Sequence, residues 1–361
     1  MLKRYALILV AAMVGLLALS ARADYQPKAE KVVDNVYALV GPLGQRSADN
    51  DGLNANFGFI VTPKGVILID SGASQLGAEK LAAAIGKVTD KPVRWVINTG
   101  SQDHRWLGND TFAGKGAEVI ALARTASTQG EYATQHIDGM KRFLGERMQG
   151  TQPLPAPKTL PDAGTLELGG ETLTLAYTDA HFPGDAWVWL PKHGVLFSGD
   201  LVYVDRLLGV LPWSSVKKGQ QAFHALAALK PARIVPGHGR VCDLAQAQRE
   251  TGNYYDFLAN KVGAAAREME PLTATLDRYA DNKPLDGSAT LTLDGQEVAA
   301  ERQGIGLLVA RHPLLEQPGR LDLVFTITAG EEMDLLTATL EVPAPAAPSG
   351  TMVEALALLR N

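Results

Sequence analysis

Apolar residues along the first half of the chain occur with two different periods. Five short apolar runs are typical of buried strands: residues 36–40, 55–62, 66–69, 93–97 and 117–121. Longer segments at residues 78–88 and 125–147 place apolar side chains three or four positions apart, as amphipathic helices do. Strands that alternate with helices predict a layered α/β domain.

A similar succession follows the proline-rich segment at residues 150–161, which we interpret as a surface loop. Five further runs are typical of strands: residues 165–168, 172–177, 186–190, 195–198 and 233–235. Helical spacing returns at residues 219–229 and 244–267. Because both halves run from strands to a helix, the pattern predicts two similar layers that face each other.

The pattern changes to strict alternation after about residue 271. Four segments alternate with period two: residues 289–293, 306–310, 321–328 and 335–342. This alternating pattern predicts a small all-β, sandwich-like module at residues 269–342, after a main domain at residues 24–268. Residues 343–361 are predicted to form a Pro/Ala linker and a short C-terminal amphipathic helix at 352–360.

The first 23 residues have the organisation of a secretory signal peptide. Lys3 and Arg4 precede an apolar run at residues 5–19, and Ala21-Arg22-Ala23 has the small-x-small form of a cleavage site. We therefore expect a periplasmic mature protein, and no other segment is apolar over the roughly 20 residues that span a bilayer.

Charge and cysteine content narrow the possible functions. The net charge is −5, and removing the three basic residues of the signal peptide leaves 31 basic against 39 acidic residues. An acidic protein of this kind is not expected to bind nucleic acid as its main role. The one cysteine, Cys242, excludes an internal disulfide, and we interpret it as a small buried residue rather than a nucleophile.

Three histidines and three aspartates lie in loops at the predicted strand ends. His104, His181 and His238 are in glycine-bounded turns, Asp103 precedes His104, and Asp70 and Asp200 each end a strand; these are the positions at which α/β proteins place functional groups. Imidazole and carboxylate ligands suit zinc, and they also suit iron or manganese. The alternative is that these side chains are hydrogen-bonded loop residues.

Five segments in this order resemble the metallo-β-lactamase superfamily over residues 30–260. They are Asp70-Ser71-Gly72, Asn98-Thr99 with Leu107-Gly108-Asn109, His181 before Pro183-Gly184, Gly199-Asp200, and Pro236-Gly237-His238-Gly239. The resemblance implies a four-layer αββα sandwich. It also implies that Asp200 bridges two metals, that His181 and His238 each bind one of them, and that Asp70 is a buried carboxylate that steadies the ligand loop.

The chain departs from the family in the loop that carries the pattern His-x-His-x-Asp-His. Aligned without gaps, its four positions hold Gly100, Gln102, His104 and Arg105. A shift of one residue instead matches Asp103-His104 to the Asp-His pair and puts Thr99 and Ser101 in place of the first two histidines. Both alignments lose these two histidines and keep His104 as a ligand.

The loss of two histidines predicts one bound metal ion, most simply zinc, rather than two. Its ligands would be His104, His181, Asp200 and His238, with Asp103 and Gln102 as possible additions. The leading hypothesis is a hydrolase in which a metal-bound hydroxide attacks an ester, thioester or lactam, with Asp103 or Asp200 orienting the water.

Two other hypotheses stand beside the hydrolase. One is a periplasmic accessory or binding protein with a degraded metal site, whose β module contacts a protein partner. The other is β-lactamase activity, which the lost histidines and the extra module make the least favoured of the three. Trp106, Tyr203, Arg206 and Trp213 are candidates to line a small-molecule pocket. The remaining histidines are interpreted as structural or exposed: His136, His193, His224 and His312.

Overall fold

A computed structural model describes residues 25–161 and 163–270, together with the backbone of seven strands between residues 288 and 358. The predicted signal peptide at residues 1–23 lies outside the described residues. Within the described part of the chain, no helix is both long enough and apolar enough to cross a membrane.

Two mixed β-sheets form the centre of the main domain. The first sheet has seven strands in chain order: β1 (Ala29–Val33), β2 (Val36–Leu39), β3 (Phe57–Thr62), β4 (Gly65–Ile69), β5 (Val93–Ile97), β6 (Glu118–Leu122) and β7 (Lys158–Leu160). The second sheet has five: β8 (Ala163–Leu168), β9 (Glu171–Tyr177), β10 (Ala186–Leu190), β11 (Val195–Phe197) and β12 (Arg233–Val235). Strands β4 to β7 are parallel, as are β11 and β12, and the other neighbours pair antiparallel.

Helices cover the outer faces of both sheets. They are α1 (Gln75–Gly86), α2 (Asp103–Trp106), α3 (Asn109–Ala113), α4 (Ala123–Leu144), α5 (Val216–Ala228), α6 (Leu244–Ala247), α7 (Asn253–Phe257) and α8 (Gly263–Arg267). Two π-helical turns, Gln248–Gly252 and Leu258–Val262, join the last three into one helical run. Ser74 begins α1 because its side chain accepts the amide hydrogen of Gly77, which would otherwise be unpaired.

Three apolar clusters define the four layers. Side chains from both sheets, such as Ile67 and Val188, form the central core. The outer face of the first sheet packs against Leu81 of α1, and the outer face of the second packs against Phe223 of α5. This arrangement confirms the predicted αββα sandwich, and most predicted strands and helices lie within a few residues of the observed ones.

Gly58 shows how closely the two sheets approach each other. A Cβ atom at this position would lie 2.0 Å from Cε1 of Phe197, a residue of β11 in the facing sheet. Glycine is therefore required in β3, where its missing side chain makes room for an aromatic ring.

The strands after residue 287 form two further sheets. The four-stranded sheet has the order β14-β13-β17-β18, from Gln296–Val298, Ser288–Leu293, Gly319–Ala329 and Glu332–Val342. The three-stranded sheet combines β15 (Ala300–Arg302), β16 (Leu307–Ala310) and β19 (Ala357–Leu358). The helix predicted at residues 352–360 is wrong at Ala357–Leu358, because these residues pair with Leu307 and Leu308 instead. The rest of that segment lies outside the described residues.

Candidate metal centre

The loops after parallel strands carry most of the predicted site residues to one edge of the sandwich. Asp70 follows β4, and the loop that leads to α2 follows the neighbouring strand β5. In the second sheet, Asp200 follows β11 and His238 follows the adjacent parallel strand β12. Because the carboxyl ends of parallel strands meet at one edge, residues far apart in sequence converge there.

His104, Asp200 and His238 form a buried group that could hold a metal ion. One ligand atom of each lies within 4.8 Å of the other two. His104 Nε2 is 3.2 Å from Asp200 Oδ2, and His238 Nε2 is 3.4 Å from Asp200 Oδ1. The three side chains are almost fully buried, so their polar atoms depend on one another or on a ligand for partners.

The Nδ1 atoms of the histidines bond to oxygens on the side away from Asp200, and the Nε2 atoms of His104 and His238 face its carboxylate. The Nδ1 atoms of His238 and His181 lie 2.9 Å from the backbone oxygens of Asn54 and Gly209. A carbonyl oxygen only accepts, so each Nδ1 carries the proton and each neutral ring has its lone pair on Nε2. His104 Nδ1 lies 3.2 Å from Asp103 Oδ1 and its Nε2 lies 3.2 Å from Asp200 Oδ2, so this ring has a carboxylate on both sides. Oxygen partners of this kind fix the tautomer of metal-binding histidines.

Burial keeps His238 and His181 neutral, while a neighbouring cation keeps Asp200 ionised. Burial lowers the pKa of His238 to about 3 and also lowers the pKa of His181. Burial alone would raise the pKa of Asp200, but the charge of Arg105 holds it well below its usual value. The lone pair of the neutral His238 ring therefore faces an ionised carboxylate, an arrangement that a divalent metal ion would stabilise. The donor chemistry thus fits a metal.

Arg105 is a buried cation beneath this group. Its Nη2 and Nε donate to the two oxygens of Asp200 at 2.5 and 3.1 Å, and its Nη1 donates to Asp70 Oδ2 at 3.2 Å. The guanidinium also reaches the backbone oxygens of Asn56 and Gly237. Arg105 therefore places one positive charge between two buried carboxylates, and it occupies lone pairs of Asp200 that a metal would otherwise take.

Asp70 lies beneath the ligand loop, where the family resemblance predicted it. Its two oxygens accept from Thr99 N at 2.7 Å and Thr99 Oγ1 at 2.6 Å, and its backbone is left-handed with φ 62°. These bonds fix the first turn after β5. Burial raises the pKa of Asp70, although Arg105 and Thr99 oppose the shift.

Asp103 does not belong to the group of three. Its Oδ1 forms a short ion pair with Arg46 and accepts from the backbone N of His104 at 2.7 Å. Burial alone would raise the pKa of Asp103, but Arg46 and His104 hold it below its usual value. His104 and Arg105 both reach Asp200 and Asp103 does not, so the geometry favours the alignment without gaps. Asp103 orients the His104 ring from the far side.

His181 is buried near Asp200 but lies outside the group of three. Its ring packs at 5.7 Å from the ring of Tyr203. The charge of Asp200 acts on it, partly opposing the effect of burial on its pKa. His181 remains a predicted ligand, on the loop between β9 and β10.

Gly100 and Gln102, which stand where the family motif has its first two histidines, have different surroundings. At Gly100 a Cβ atom would lie 2.8 Å from Asp185 Oδ1, so any side chain there would require this carboxyl group to shift. Gln102 keeps a buried Oε1 that has no hydrogen-bond partner among the described residues. Asp185 was not among the site residues predicted from the sequence. Its position four residues after His181, in the same loop, could have indicated that it lies near the site.

Asp185 is a buried carboxyl with one unsatisfied oxygen. Oδ2 accepts from Phe182 N at 2.6 Å, while Oδ1 has no partner among the described residues. Burial, reinforced by the charge of Asp200, raises the pKa of Asp185 well above its usual value.

The aromatic candidates have different surroundings. Trp106 and Tyr203 are buried, whereas Trp213 is 46% exposed and packs on Phe182. Arg206 donates to Leu43 O at 2.8 Å. Of the four candidates, Trp213 is the most exposed and Arg206 is partly buried.

The remaining histidines and the cysteine lie apart from the group of three. His136 is buried beside Trp106, His193 pairs with Glu171, and His224 is exposed on α5, while His312 lies outside the described residues. Cys242 is buried on the strand-like segment that pairs with Ile234, and burial raises its thiol pKa to about 12. A thiol that remains protonated is a poor nucleophile, in agreement with the sequence-based interpretation.

Curated relatives resemble the chain over its main domain. "Metallo-beta-lactamase IND-1" from Chryseobacterium indologenes is 26% identical over 209 residues, covering 56% of this chain and 77% of the relative. "Metallo-beta-lactamase type 2" from Elizabethkingia meningoseptica is 25% identical, covering 65% and 87%. "Acyl-coenzyme A thioesterase MBLAC2" from Gallus gallus is 26% identical over a shorter stretch, 28% of this chain and 38% of the relative.

Solved structures share the fold. A metallo-beta-lactamase from Pontibacter korlensis superposes with a TM-score of 0.52 at 21% identity, covering 64% of this chain and 99% of that one. The metallo-beta-lactamase FIM-1 from Pseudomonas aeruginosa, in its mono-zinc form, gives 0.53 at 15% identity, covering 66% and 98%. The family model for the metallo-beta-lactamase superfamily matches residues 50–238, more than half of the chain, and this chain therefore belongs to that superfamily.

Proposed function

We propose that the protein is a metal-dependent hydrolase that cleaves an ester, thioester or lactam. One observation carries the proposal: His104, Asp200 and His238 bring three buried ligand atoms within 4.8 Å of one another. The superfamily consists mostly of hydrolases, and the matched relatives have names that include both lactamase and thioesterase activities.

We propose one zinc ion at this group, with iron or manganese as alternatives that the same ligands accept. A bound divalent ion lowers the pKa of a water to about 7 and polarises a carbonyl oxygen. His104 and His238 would hold the ion with Asp200, and His181 would add a ligand from the facing loop.

The other charged residues would prepare this group for chemistry. Asp200 would orient the attacking water, because it lies among the ligands, whereas Asp103 is bonded to Arg46 and acts on His104. Asp70 would keep the ligand loop in place through Thr99. Arg105 would supply a fixed positive charge that partly replaces a second metal ion.

Metal analysis of the mature protein, purified without chelators, tests this proposal. We expect about one metal per chain, a stoichiometry that matches a single closed ligand set. The variants His104→Ala and His238→Ala should lose it, and His224→Ala, on the exposed face of α5, should not. The metal-loaded parent is then assayed on a thioester, an ester and a lactam. A parent that takes up no metal after zinc, iron and manganese supplementation would refute the hydrolase.

Arg105 also favours a second candidate function, a binding or accessory protein. Its bidentate contact with Asp200 satisfies the carboxylate without a metal. A protein that remains metal-free and inert, yet folded, would have this role. Turnover that His238→Ala abolishes would exclude it as the main function.

We propose further that the chain is exported to the periplasm and that residues 269–342 form a module that contacts a protein partner. The export proposal rests on the basic start, the apolar run and the Ala21-Arg22-Ala23 site. N-terminal sequencing of the periplasmic protein should begin at Asp24. Recovery of the uncleaved chain from the cytoplasm would contradict it.

A further inference from the structure

We propose that the loop at residues 206–214 forms an apolar subsite beside the candidate metal centre, and that this subsite takes the acyl chain of an ester or thioester. The inference rests on the proposed function, because it names the substrate class of the same hydrolytic site. Leu207 and Trp213 would set the preference for long acyl chains, and neither residue is a proposed metal ligand.

The first observation is the composition of the 206–214 loop. Residues 207–213 read Leu-Leu-Gly-Val-Leu-Pro-Trp, so no polar side chain stands between Arg206 and Ser214. Residues 207–211 have neither helical nor strand structure. Connecting segments are normally polar, and a run of apolar residues in one of them is expected only where it serves a function.

The second observation is that this loop leaves apolar side chains open to solvent. Leu207 is 40% exposed and Trp213 is 46% exposed. The other large apolar side chains that are exposed in the described part of the chain, Val88, Phe143 and Met269, belong to three other segments. Exposed apolar side chains that are concentrated in one segment, rather than scattered singly, mark a place where a ligand or a partner binds.

The third observation is that the loop is bonded to the segment that carries His181. Gly209 O lies 2.9 Å from His181 Nδ1, and Ser214 Oγ donates to His181 O at 2.7 Å. The ring of Trp213 lies 5.5 Å from the ring of Phe182, the residue after His181. The apolar loop is therefore held against a predicted metal ligand at both its middle and its end.

His181 in turn connects the loop to the group of three. Its ring lies 5.7 Å from the ring of Tyr203, which lies 4.5 Å from the ring of His238. At the other end of the loop, Arg206 donates to Leu43 O, on the segment between β2 and β3. The 206–214 loop therefore adjoins the edge of the sandwich where the predicted ligands converge.

This position favours an acyl chain as the occupant. A stable protein partner would need an apolar face of roughly 1,000 Å² or more, which extends beyond one loop. A substrate chain needs only a wall that adjoins the reacting centre, and a chain of several carbon atoms can lie along side chains that are too far from a metal ion to bind it. Esters and thioesters carry such a chain directly on the carbonyl carbon that is attacked.

A chain-length series tests the subsite with the metal-loaded mature protein. The substrates are 4-nitrophenyl esters with acyl chains from acetyl to octanoyl, and the measured quantity is kcat/KM. We expect kcat/KM to rise about two- to fourfold with each added methylene, because full burial of one CH₂ group is worth about fourfold. A series that is flat from acetyl to octanoyl would overturn the subsite.

Trp213→Ala and Leu207→Ser should reduce this preference. We expect the ratio of kcat/KM for the octanoyl ester to that for the acetyl ester to fall about 5- to 30-fold in Trp213→Ala, as truncation of an aromatic contact residue does. A change that only disturbed the fold would lower both values alike. Phe143→Ala and Val88→Ser, at side chains that are 49% and 37% exposed, are the matched controls and should keep the ratio.

The two loop variants are read together. If Trp213→Ala does not fold, the ratio in Leu207→Ser decides. A ratio that stays at the value of the parent in every folded loop variant contradicts the proposal.

Fluorescence quenching by brominated alkanoates tests the same subsite without turnover. Bromine quenches tryptophan fluorescence at short range, so 8-bromooctanoate bound along the loop should quench Trp213, with or without added metal ion. We expect saturable quenching by 8-bromooctanoate, linear collisional quenching by bromoacetate, and loss of the saturable part in Trp213→Phe. Linear quenching by both compounds, or saturable quenching that persists unchanged in Trp213→Phe, would overturn the subsite.

The outcomes separate this inference from the proposed function. A parent that takes up no metal and hydrolyses no ester, but shows saturable quenching that depends on Trp213, refutes the hydrolase and leaves the binding of an apolar chain in place. A parent that hydrolyses the acetyl and octanoyl esters with the same kcat/KM, and whose quenching is linear, supports the hydrolase and overturns the subsite alone.

Discussion

At the scale of single residues, Arg105 determines the electrostatics of the candidate metal centre. Its guanidinium is almost fully buried and contacts the carboxylates of Asp70 and Asp200. Burial opposes the charge on Arg105, but Asp200 and Asp70 raise its pKa above the usual value, so the residue stays ionised. The protein therefore holds a permanent cation directly beside the ligand that would receive a metal.

Replacing Arg105 by methionine should have opposite effects on stability and on metal binding. We expect the metal-free variant to lose about 3–5 kcal/mol of unfolding free energy, because two buried carboxylates lose their partner. Added Zn²⁺ should stabilise the variant more than the parent, since Asp200 no longer shares its oxygens. Urea unfolding with chelator and with Zn²⁺ measures both effects. Arg233→Met, at an exposed position of β12, is the control, and an unchanged metal-free stability would contradict the prediction.

Asp103 should act on metal affinity through His104 rather than as a ligand. In Asp103→Ala the imidazole loses the acceptor of its Nδ1 proton, so we expect metal affinity to fall about 10–100-fold with the stoichiometry unchanged. Chelator competition measures the change, with Asp90→Ala in an exposed turn as the control. Complete loss of the metal would instead identify Asp103 as a ligand.

At the scale of elements, the spacing of apolar residues predicted the strands and helices of the sandwich. It could do so because most strands and long helices bury a defined face. The strand β1, AEKVV, was missed because the charged pair Glu30-Lys31 interrupts its short apolar pattern and the strand lies at the sheet edge. The helices α2 and α3 were missed because four or five residues are too few to show a helical period. At Ala357–Leu358 the helix prediction was wrong because these two residues pair with β16, a non-local contact that the local pattern does not show.

The site was predictable where a motif carried it. Turn glycines marked His104, Asp200 and His238, and the structure brings these three together. Asp185 was not predictable in this way, because only the packing of its loop against Gly100 reveals the unsatisfied oxygen. The position of Asp103 relative to His104 likewise depended on the local turn that no residue pattern specified.

The approach of β3 to β11 gives a prediction for packing. Gly58→Ala places a methyl group against Phe197, so we expect a loss of about 1–3 kcal/mol of unfolding free energy from overpacking. In the double variant Gly58→Ala/Phe197→Leu, the loss should be smaller than the sum of the single losses. Gly86→Ala, where nothing lies within 4 Å of the added Cβ, should be near neutral. Additive losses would show that the two sheets do not meet here.

At the scale of the whole molecule, the candidate ligands come from both sheets. His104 follows β5 of the first sheet, whereas Asp200 and His238 follow β11 and β12 of the second. A metal bound by all three would link the two halves of the sandwich, so its binding energy would add to the stability of the entire domain.

Metal removal should therefore lower the melting temperature of the domain as a unit. At a free metal concentration 100 times the Kd, we expect a stabilisation of about 2.7 kcal/mol relative to the chelated protein. Calorimetry at several metal concentrations measures the shift. His238→Ala should melt at the same temperature with and without metal, whereas His224→Ala should behave as the parent. A metal-induced shift that survives in His238→Ala would place the ion elsewhere.

The buried thiol of Cys242 can be used to measure local unfolding of the second sheet. It is the one cysteine in the chain, it is buried, and its backbone pairs with Ile234 in β12, the strand that leads to His238. A thiol reagent can label it only when this edge of the second sheet separates from the rest. The labelling rate would thus measure how often this edge separates, at one known position and without an introduced probe. A decrease in the rate when a metal ion is added would show how much a ligand at the His238 end of β12 suppresses the separation.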